Sequence, residues 1–92
     1  MTSREVKLID NNYDVLTEIP DLFELIIKLY SRHAITLGHK NAINSKITDL
    51  ERNDALFEIL KRRSLKDYRV MISVLREVNC CRAANILEGI GK

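Results

Sequence analysis

The sequence predicts an all-α protein, and three observations indicate this class. The 92 residues include one proline and three glycines, too few for a protein of strands and tight turns, which need these residues. Apolar residues recur at spacings of three and four, the period of a helix face, without strict apolar–polar alternation. The apolar fraction of 46% is that of a globular chain. The length predicts one domain over residues 1–92.

Six helical segments are predicted, and the first two occupy the N-terminal third. The first, residues 3–18, is expected to bend at Asn11-Asn12, because asparagine is a poor residue for a helix interior. The second follows Pro20, which a first helical turn tolerates, and runs to about Ser31. Its apolar side chains lie nearly all round, so we expect it to be the central, buried helix. These side chains are Leu22, Phe23, Leu25, Ile26, Ile27, Leu29 and Tyr30.

The third and fourth helices are predicted around residues 39–46 and 49–63. Thr48 or Asp49 is expected to cap the fourth helix, since both side chains accept hydrogen bonds from a first helical turn. The side chains expected to face inward from these two helices are Ile43, Ile47, Leu56, Phe57 and Leu60.

The fifth and sixth helices complete the bundle. Ser64 is expected to cap the fifth, with Asp67 at the position of a capping box. Asn79 separates the two helices, and Gly89 or Gly91 ends the sixth. Because the connections are short, neighbouring helices should be antiparallel. The expected core side chains are Tyr68, Met71, Val74, Leu75, Val78, Ala83, Ala84, Leu87 and Ile90.

Charge is unevenly distributed along the chain. Residues 1–24 carry six acids and two bases, a net charge of −4. The remaining 13 basic and 7 acidic side chains give residues 25–92 a net charge of +6. A domain polarised in this way can pair with a copy of itself or with a similarly polarised partner. The acidic patch is defined as Asp10, Asp14, Glu18, Asp21 and Glu24, and the basic patch as Arg52, Lys61, Arg62, Arg63 and Arg69.

Each patch has more than one interpretation. Asp10, Asp14 and Glu18 share one helix face and form either an ordinary solvated surface or a docking surface for a basic partner. Metal binding is disfavoured, because a rigid helix face spreads these oxygens too far apart for one ion. The basic patch is a solvated helix end, where cations complement the dipole, or a protein-docking surface. Nucleic-acid binding is disfavoured by interleaved acids and by the scarcity of flanking aromatic residues.

Few residues offer chemistry of their own. His33 and His39 have no catalytic partner at a recognisable spacing. Cys80 and Cys81 are adjacent, so they cannot form a disulfide framework and are expected to be reduced thiols. We therefore expect no enzyme activity, no cofactor and no metal. The longest apolar run is far shorter than the roughly 20 residues of a membrane span, and no signal peptide is evident. The expected location is the cytoplasm, with no membrane partner.

Four sequence segments carry a family resemblance. They are LIDNNYDVL, LFELIIKLYSRHAITLGHKNAINSKIT, ALFEILKRRS and DYRVMISVLREVNCCRAANILE. In this order and spacing they resemble a caspase-recruitment domain (CARD) of the death-fold superfamily, over nearly the whole chain. The spacing from Leu75 through Asn79 to Ala84 and Leu87 is similar to the family's closing LxxTGxxxLAxxL pattern. The INS at 43–45 and the ending NCCRAANILE most resemble invertebrate initiator-caspase prodomains or their apoptosome scaffold.

The resemblance implies a six-helix antiparallel Greek-key bundle with a bent first helix. It also implies homotypic association that recruits or oligomerises caspases or adaptors in apoptotic or innate-immune signalling. The implied partner is another CARD-containing protein, such as an initiator caspase, an apoptosome scaffold or an adaptor, and self-association is a further expectation. Family members often carry a basic patch on the first and fourth helices and an acidic patch on the second and third. Arg52, Arg62 and Arg63 fit this arrangement, whereas Asp10 and Asp14 depart from it.

Two alternatives stay open from the sequence. A death-effector adaptor domain usually closes with an Arg-x-Asp-Leu-Leu motif, whereas Arg82 here is followed by Ala83 and Ala84. A small basic nucleic-acid-binding helical domain is the other, and salt-dependent binding to random DNA would support it.

Overall fold

All regular secondary structure in the described residues is helical, so the predicted all-α class is confirmed. The structure is a computed structural model, and it describes residues 3–17, 19 and 22–89. Its helices are α1 (Ser3–Asn11), α2 (Tyr13–Leu16), α3 (Leu22–Ser31), α4 (Leu37–Asn44), α5 (Asp49–Leu60), α6 (Leu65–Glu77) and α7 (Cys81–Glu88).

The described residues form seven helices, one more than the six predicted. The difference arises at Asn12, where the predicted first helix divides into α1 and α2. Asn12 has non-helical dihedral angles (φ −121°, ψ 22°), and its Nδ2 donates to the Leu8 carbonyl oxygen at 2.9 Å. An asparagine side chain that bonds nearby backbone competes with helix continuation. The break therefore falls within the Asn11-Asn12 pair, where a bend was predicted.

Capping side chains determine where α4 and α5 begin. Thr36 Oγ1 accepts from the His39 N–H at 3.1 Å, and His39 Nδ1 accepts from the Thr36 N–H. This capping box starts α4 two residues before the predicted position. A second box joins Thr48 and Glu51 at the start of α5. Because α4 ends at Asn44, Ile47 lies in the connection and is 86% exposed, so its predicted inward position is wrong.

The boundaries of α6 and α7 follow the predicted signals. Ser64 Oγ accepts from the Asp67 N–H at 3.3 Å at the start of α6. Asn79 adopts a left-handed conformation (φ 64°) between the two helices. Gly89, also left-handed (φ 77°), ends α7. Asparagine and glycine are the residues that adopt this region most readily. Gly91 lies outside the described residues.

The core is organised around α3, which packs against α4, α5 and α6, while α6 packs on α7 and α7 on α1. One face of α3 is buried through Leu22, Leu25, Ile26 and Leu29. The predicted inward side chains of the other helices are buried or half-buried, except Ile47 and Ile90, which lies outside the described residues. Among the described helices, none is both long enough and apolar enough to span a bilayer.

Candidate protein-interaction surfaces

The acidic and basic patches meet within one molecule at Lys61. Lys61 follows the last residue of α5, and its Nζ lies 2.6 Å from Asp10 Oδ1 of α1 and 3.0 Å from Glu58 Oε2. The same Nζ lies 5.4 Å from the centroid of the Tyr13 ring, within the range of a cation–π contact. The hydrogen bond with Asp10 raises the pKa of Lys61. One member of each predicted patch is therefore already engaged inside the domain.

Tyr13 of α2 also contacts α5. Its hydroxyl donates to Asp54 Oδ1 at 2.5 Å, and its ring packs edge-on against Phe57 with centroids 6.4 Å apart. Burial, helped by the Asp54 hydrogen bond, raises the pKa of Tyr13 well above its usual range. The phenol is a hydrogen-bond donor that holds α2 on α5.

Arg63 and Arg52 of the basic patch are also engaged. Arg63 Nε donates to the carbonyl oxygen of Ala34 at 3.1 Å and lies 3.0 Å from Asp67 Oδ2. The Asp67 carboxylate therefore binds Arg63 rather than completing the capping box predicted with Ser64. Arg52 pairs with Asp49 within α5 at 2.8 Å. These contacts give Arg63 a structural role that its position in a basic run did not indicate.

Arg62 and Arg69 are the two members of the basic patch that remain available. Both are exposed, and their side chains have no ion pair or hydrogen bond with any described residue. Lys66, on the first turn of α6, is likewise exposed and has no ion pair or hydrogen bond with any described residue. Arg69 and Lys66 share a groove of about 360 Å³ beside Arg32, which follows α3. This "α6 groove" is lined by Arg32, Leu65, Lys66, Arg69, Val70 and Ser73.

The acidic patch has a matching pair of available charges. Asp14 and Glu24 are exposed, and they are the carboxylates of the described residues that have no side-chain ion pair or hydrogen bond there. Asp14 lies on α2 and Glu24 on the first turn of α3. Glu18 and Asp21 lie outside the described residues. Available charges of both signs thus occur on the surface of one small domain.

An exposed apolar stripe on α3 was not predicted. Phe23 is 70% exposed, Ile27 41% and Tyr30 37%, so the expectation of an all-round buried helix is wrong. These residues follow the i, i+4, i+7 spacing of one helix face. Phe23 also lines a groove with Asn44 and Asp49 at the corner where α4 leads into α5. The sequence did indicate this exposed stripe, because seven of the ten residues of α3 are apolar, more than one buried face requires.

The cysteines and histidines show ordinary structural positions. The Cys80 side chain is half-buried, and the Cys81 side chain is exposed. His39 takes part in the α4 capping box, and His33 is exposed in the turn after α3 with φ 63°. Within the described ranges, no three histidine, cysteine, aspartate or glutamate side chains lie close enough to hold a metal ion.

The chain matches no protein-family model, no curated protein and no solved structure with which it was compared. We therefore infer function from these surfaces and from the family resemblance of the sequence.

Proposed function

We propose that this domain is a homotypic protein-interaction module of the CARD type. It would bind a like domain, and by doing so recruit or oligomerise caspases or adaptors in apoptotic or innate-immune signalling. In this proposal α1 and α2 are the two halves of a bent first helix, so that the seven described helices correspond to the six of a Greek-key death fold. The order of the sequence segments that resemble a CARD and the all-helical architecture support this assignment.

One observation carries the proposal: available charges of opposite sign are exposed on different helices. Asp14 and Glu24 have no internal partner among the described residues, and neither have Arg62 and Arg69. An exposed charge that the fold does not use remains free to face a charge on another molecule. Complementary surfaces of this kind accelerate encounter and fix the orientation of two partners.

The proposed mechanism is electrostatic docking without chemistry, so it needs no catalytic residue or cofactor. Surfaces of opposite sign orient the encounter, and a modest interface then holds the pair. When several copies assemble, each contact raises the effective concentration for the next, which converts weak pairwise binding into stable assembly. The partner is another CARD-containing protein, such as an initiator caspase, an apoptosome scaffold, an adaptor or a second copy.

A matched pair of charge reversals tests this proposal. Arg62→Glu changes the basic patch, whereas Arg82→Glu makes the same change of charge on α7, at an exposed arginine that also has no described partner. Both substitutions are at exposed positions and should preserve helical content by circular dichroism. In sedimentation velocity, we expect Arg62→Glu to weaken self-association and Arg82→Glu to leave it near the wild-type level. Equal effects of the two variants would show that only net charge matters and would contradict a defined docking surface.

A further inference from the structure

The start of α3 presents an aromatic residue beside an available carboxylate. Phe23 is 70% exposed, and Glu24 follows it on the solvent side of the same turn. Ile27, one turn later, extends the apolar surface. Exposed aromatic side chains are enriched at protein interfaces, where they serve as anchors. An adjacent unused carboxylate can orient such an anchor towards a basic surface.

The α6 groove has an apolar lining and a complementary charge. Leu65 and Val70 give it apolar walls, and the side chains of Lys66 and Arg69 add aliphatic stems below their charged ends. Neither cation has an ion pair among the described residues, whereas Arg32, which also lines the groove, pairs with Glu77. The groove therefore offers an apolar lining and two unused positive charges, which together fit an aromatic side chain flanked by a carboxylate.

Phe23 cannot reach this groove within its own chain. It lies on the first turn of α3, whereas Arg32, on the wall of the groove, follows the last residue of the same helix. Nine residues of helix correspond to about 14 Å along the axis. The aromatic anchor and the groove are thus held at opposite ends of one rigid element, and both remain available in a single molecule.

We propose that Phe23 of one copy inserts into the α6 groove of a second copy, with its Glu24 facing Lys66 and Arg69. This inference rests on the proposed homotypic function and specifies which surfaces meet. The contact joins two different surfaces, so it is heterologous: each copy that contributes an anchor still carries an empty groove. Contacts of this type form closed rings or open filaments rather than symmetric dimers.

Two complementary variants test the contact. Phe23→Ala removes the anchor and keeps the groove, and Arg69→Glu removes a groove cation and keeps the anchor. Each variant alone is expected to associate about thirtyfold more weakly than wild type, the effect typical of a central interface residue. An equimolar mixture should nevertheless form a one-to-one complex by light scattering, because the intact anchor of Arg69→Glu fits the intact groove of Phe23→Ala. In that complex the groove that remains empty carries Arg69→Glu, and the anchor position that remains unused carries Phe23→Ala. Neither can bind a third copy, so growth stops at two copies.

Matched controls separate this contact from general surface effects. Leu37→Ala removes another exposed apolar side chain, and Arg82→Glu reverses another available arginine; both should assemble like wild type. If wild type assembles while Phe23→Ala or Arg69→Glu assembles equally well, or while their mixture stays monomeric, the contact is overturned and the homotypic function survives. If wild type is monomeric at every concentration, the contact and the proposed self-association both fail.

Discussion

Arg63→Ala should destabilise the domain, whereas Arg62→Ala should not. The two arginines are adjacent, and each substitution replaces an arginine by an alanine, so the two variants form a matched pair. Arg63 Nε donates to the carbonyl oxygen of Ala34 and lies 3.0 Å from Asp67 Oδ2. The Asp67 side chain is 14% exposed and Ala34 is buried. Removal of the Arg63 side chain would therefore leave the Asp67 carboxylate and the Ala34 carbonyl oxygen without this partner.

The magnitude follows from these contacts. A hydrogen bond involving a charged group contributes about 1.5–3 kcal/mol, and we expect Arg63→Ala to lower the free energy of unfolding by about 2 kcal/mol. With a urea dependence of about 1–3 kcal/mol/M, this loss shifts the denaturation midpoint by about 1 M. Arg62→Ala, at an exposed position without such contacts, should remain within about 0.5 kcal/mol of wild type.

Urea denaturation followed by circular dichroism measures both variants under one set of conditions. Equal midpoints for Arg62→Ala and Arg63→Ala would refute a structural role for the contact between Arg63 and Ala34. The comparison also bears on binding experiments. Any loss of partner binding in an Arg63 variant combines an effect on stability with an effect on the surface, whereas Arg62 reports on the surface alone.

Three further predictions concern capping and pH. Thr48→Ala should remove the capping box with Glu51 and cost about 1 kcal/mol, seen as a melting temperature lower by about 4–8 °C; an unchanged value would contradict the cap. Burial raises the pKa of Tyr68 from 10.0 to about 12. The stabilisation by the neutral Tyr68 hydroxyl is therefore present below pH 10 and lost towards pH 12. Over that interval, the free energy of unfolding measured in urea titrations should fall less for Tyr68→Phe than for wild type. The hydrogen bond from Arg32 lowers the pKa of Glu77 below 4.5. The stabilisation by the pair of Arg32 and Glu77 is therefore present above that pH and lost in acid. Glu77→Gln should show a correspondingly shallower acid loss by thermal denaturation, and parallel curves would refute the pair's role.

Local signals in the sequence predicted much of the fold. The caps at Thr48 and Ser64, the break within Asn11-Asn12 and the left-handed Gly89 all depend on residues close in the chain, whose conformational preferences act locally. The bend at Asn12 proved sharp enough to divide one predicted helix into two. The helical class and several helix starts could therefore be predicted from spacing and capping residues. The start of α4 at Leu37 and the end of α5 at Leu60, three residues before the predicted position, could not.

Contacts between distant residues could not be predicted in the same way. Lys61 meets Asp10 across the bundle, and Arg63 meets Ala34 at the turn after α3. Nothing in the basic run at 61–63 distinguishes these engaged side chains from the free Arg62, because the difference arises only when α5 packs against its neighbours. The exposed stripe headed by Phe23 was missed for a related reason: apolar content predicts burial, but neighbouring helices cover only part of the circumference of α3.

The measurement that tests the central claim most directly is light scattering coupled to size-exclusion chromatography, over a series of protein and salt concentrations. If available charges drive homotypic association, the average mass should rise with protein concentration at low salt. It should fall towards the monomer as salt increases, because the screening length shortens from about 10 Å at 0.1 M to about 3 Å at 1 M. A monomer under all conditions, or an assembly indifferent to salt, would contradict charge-driven self-association.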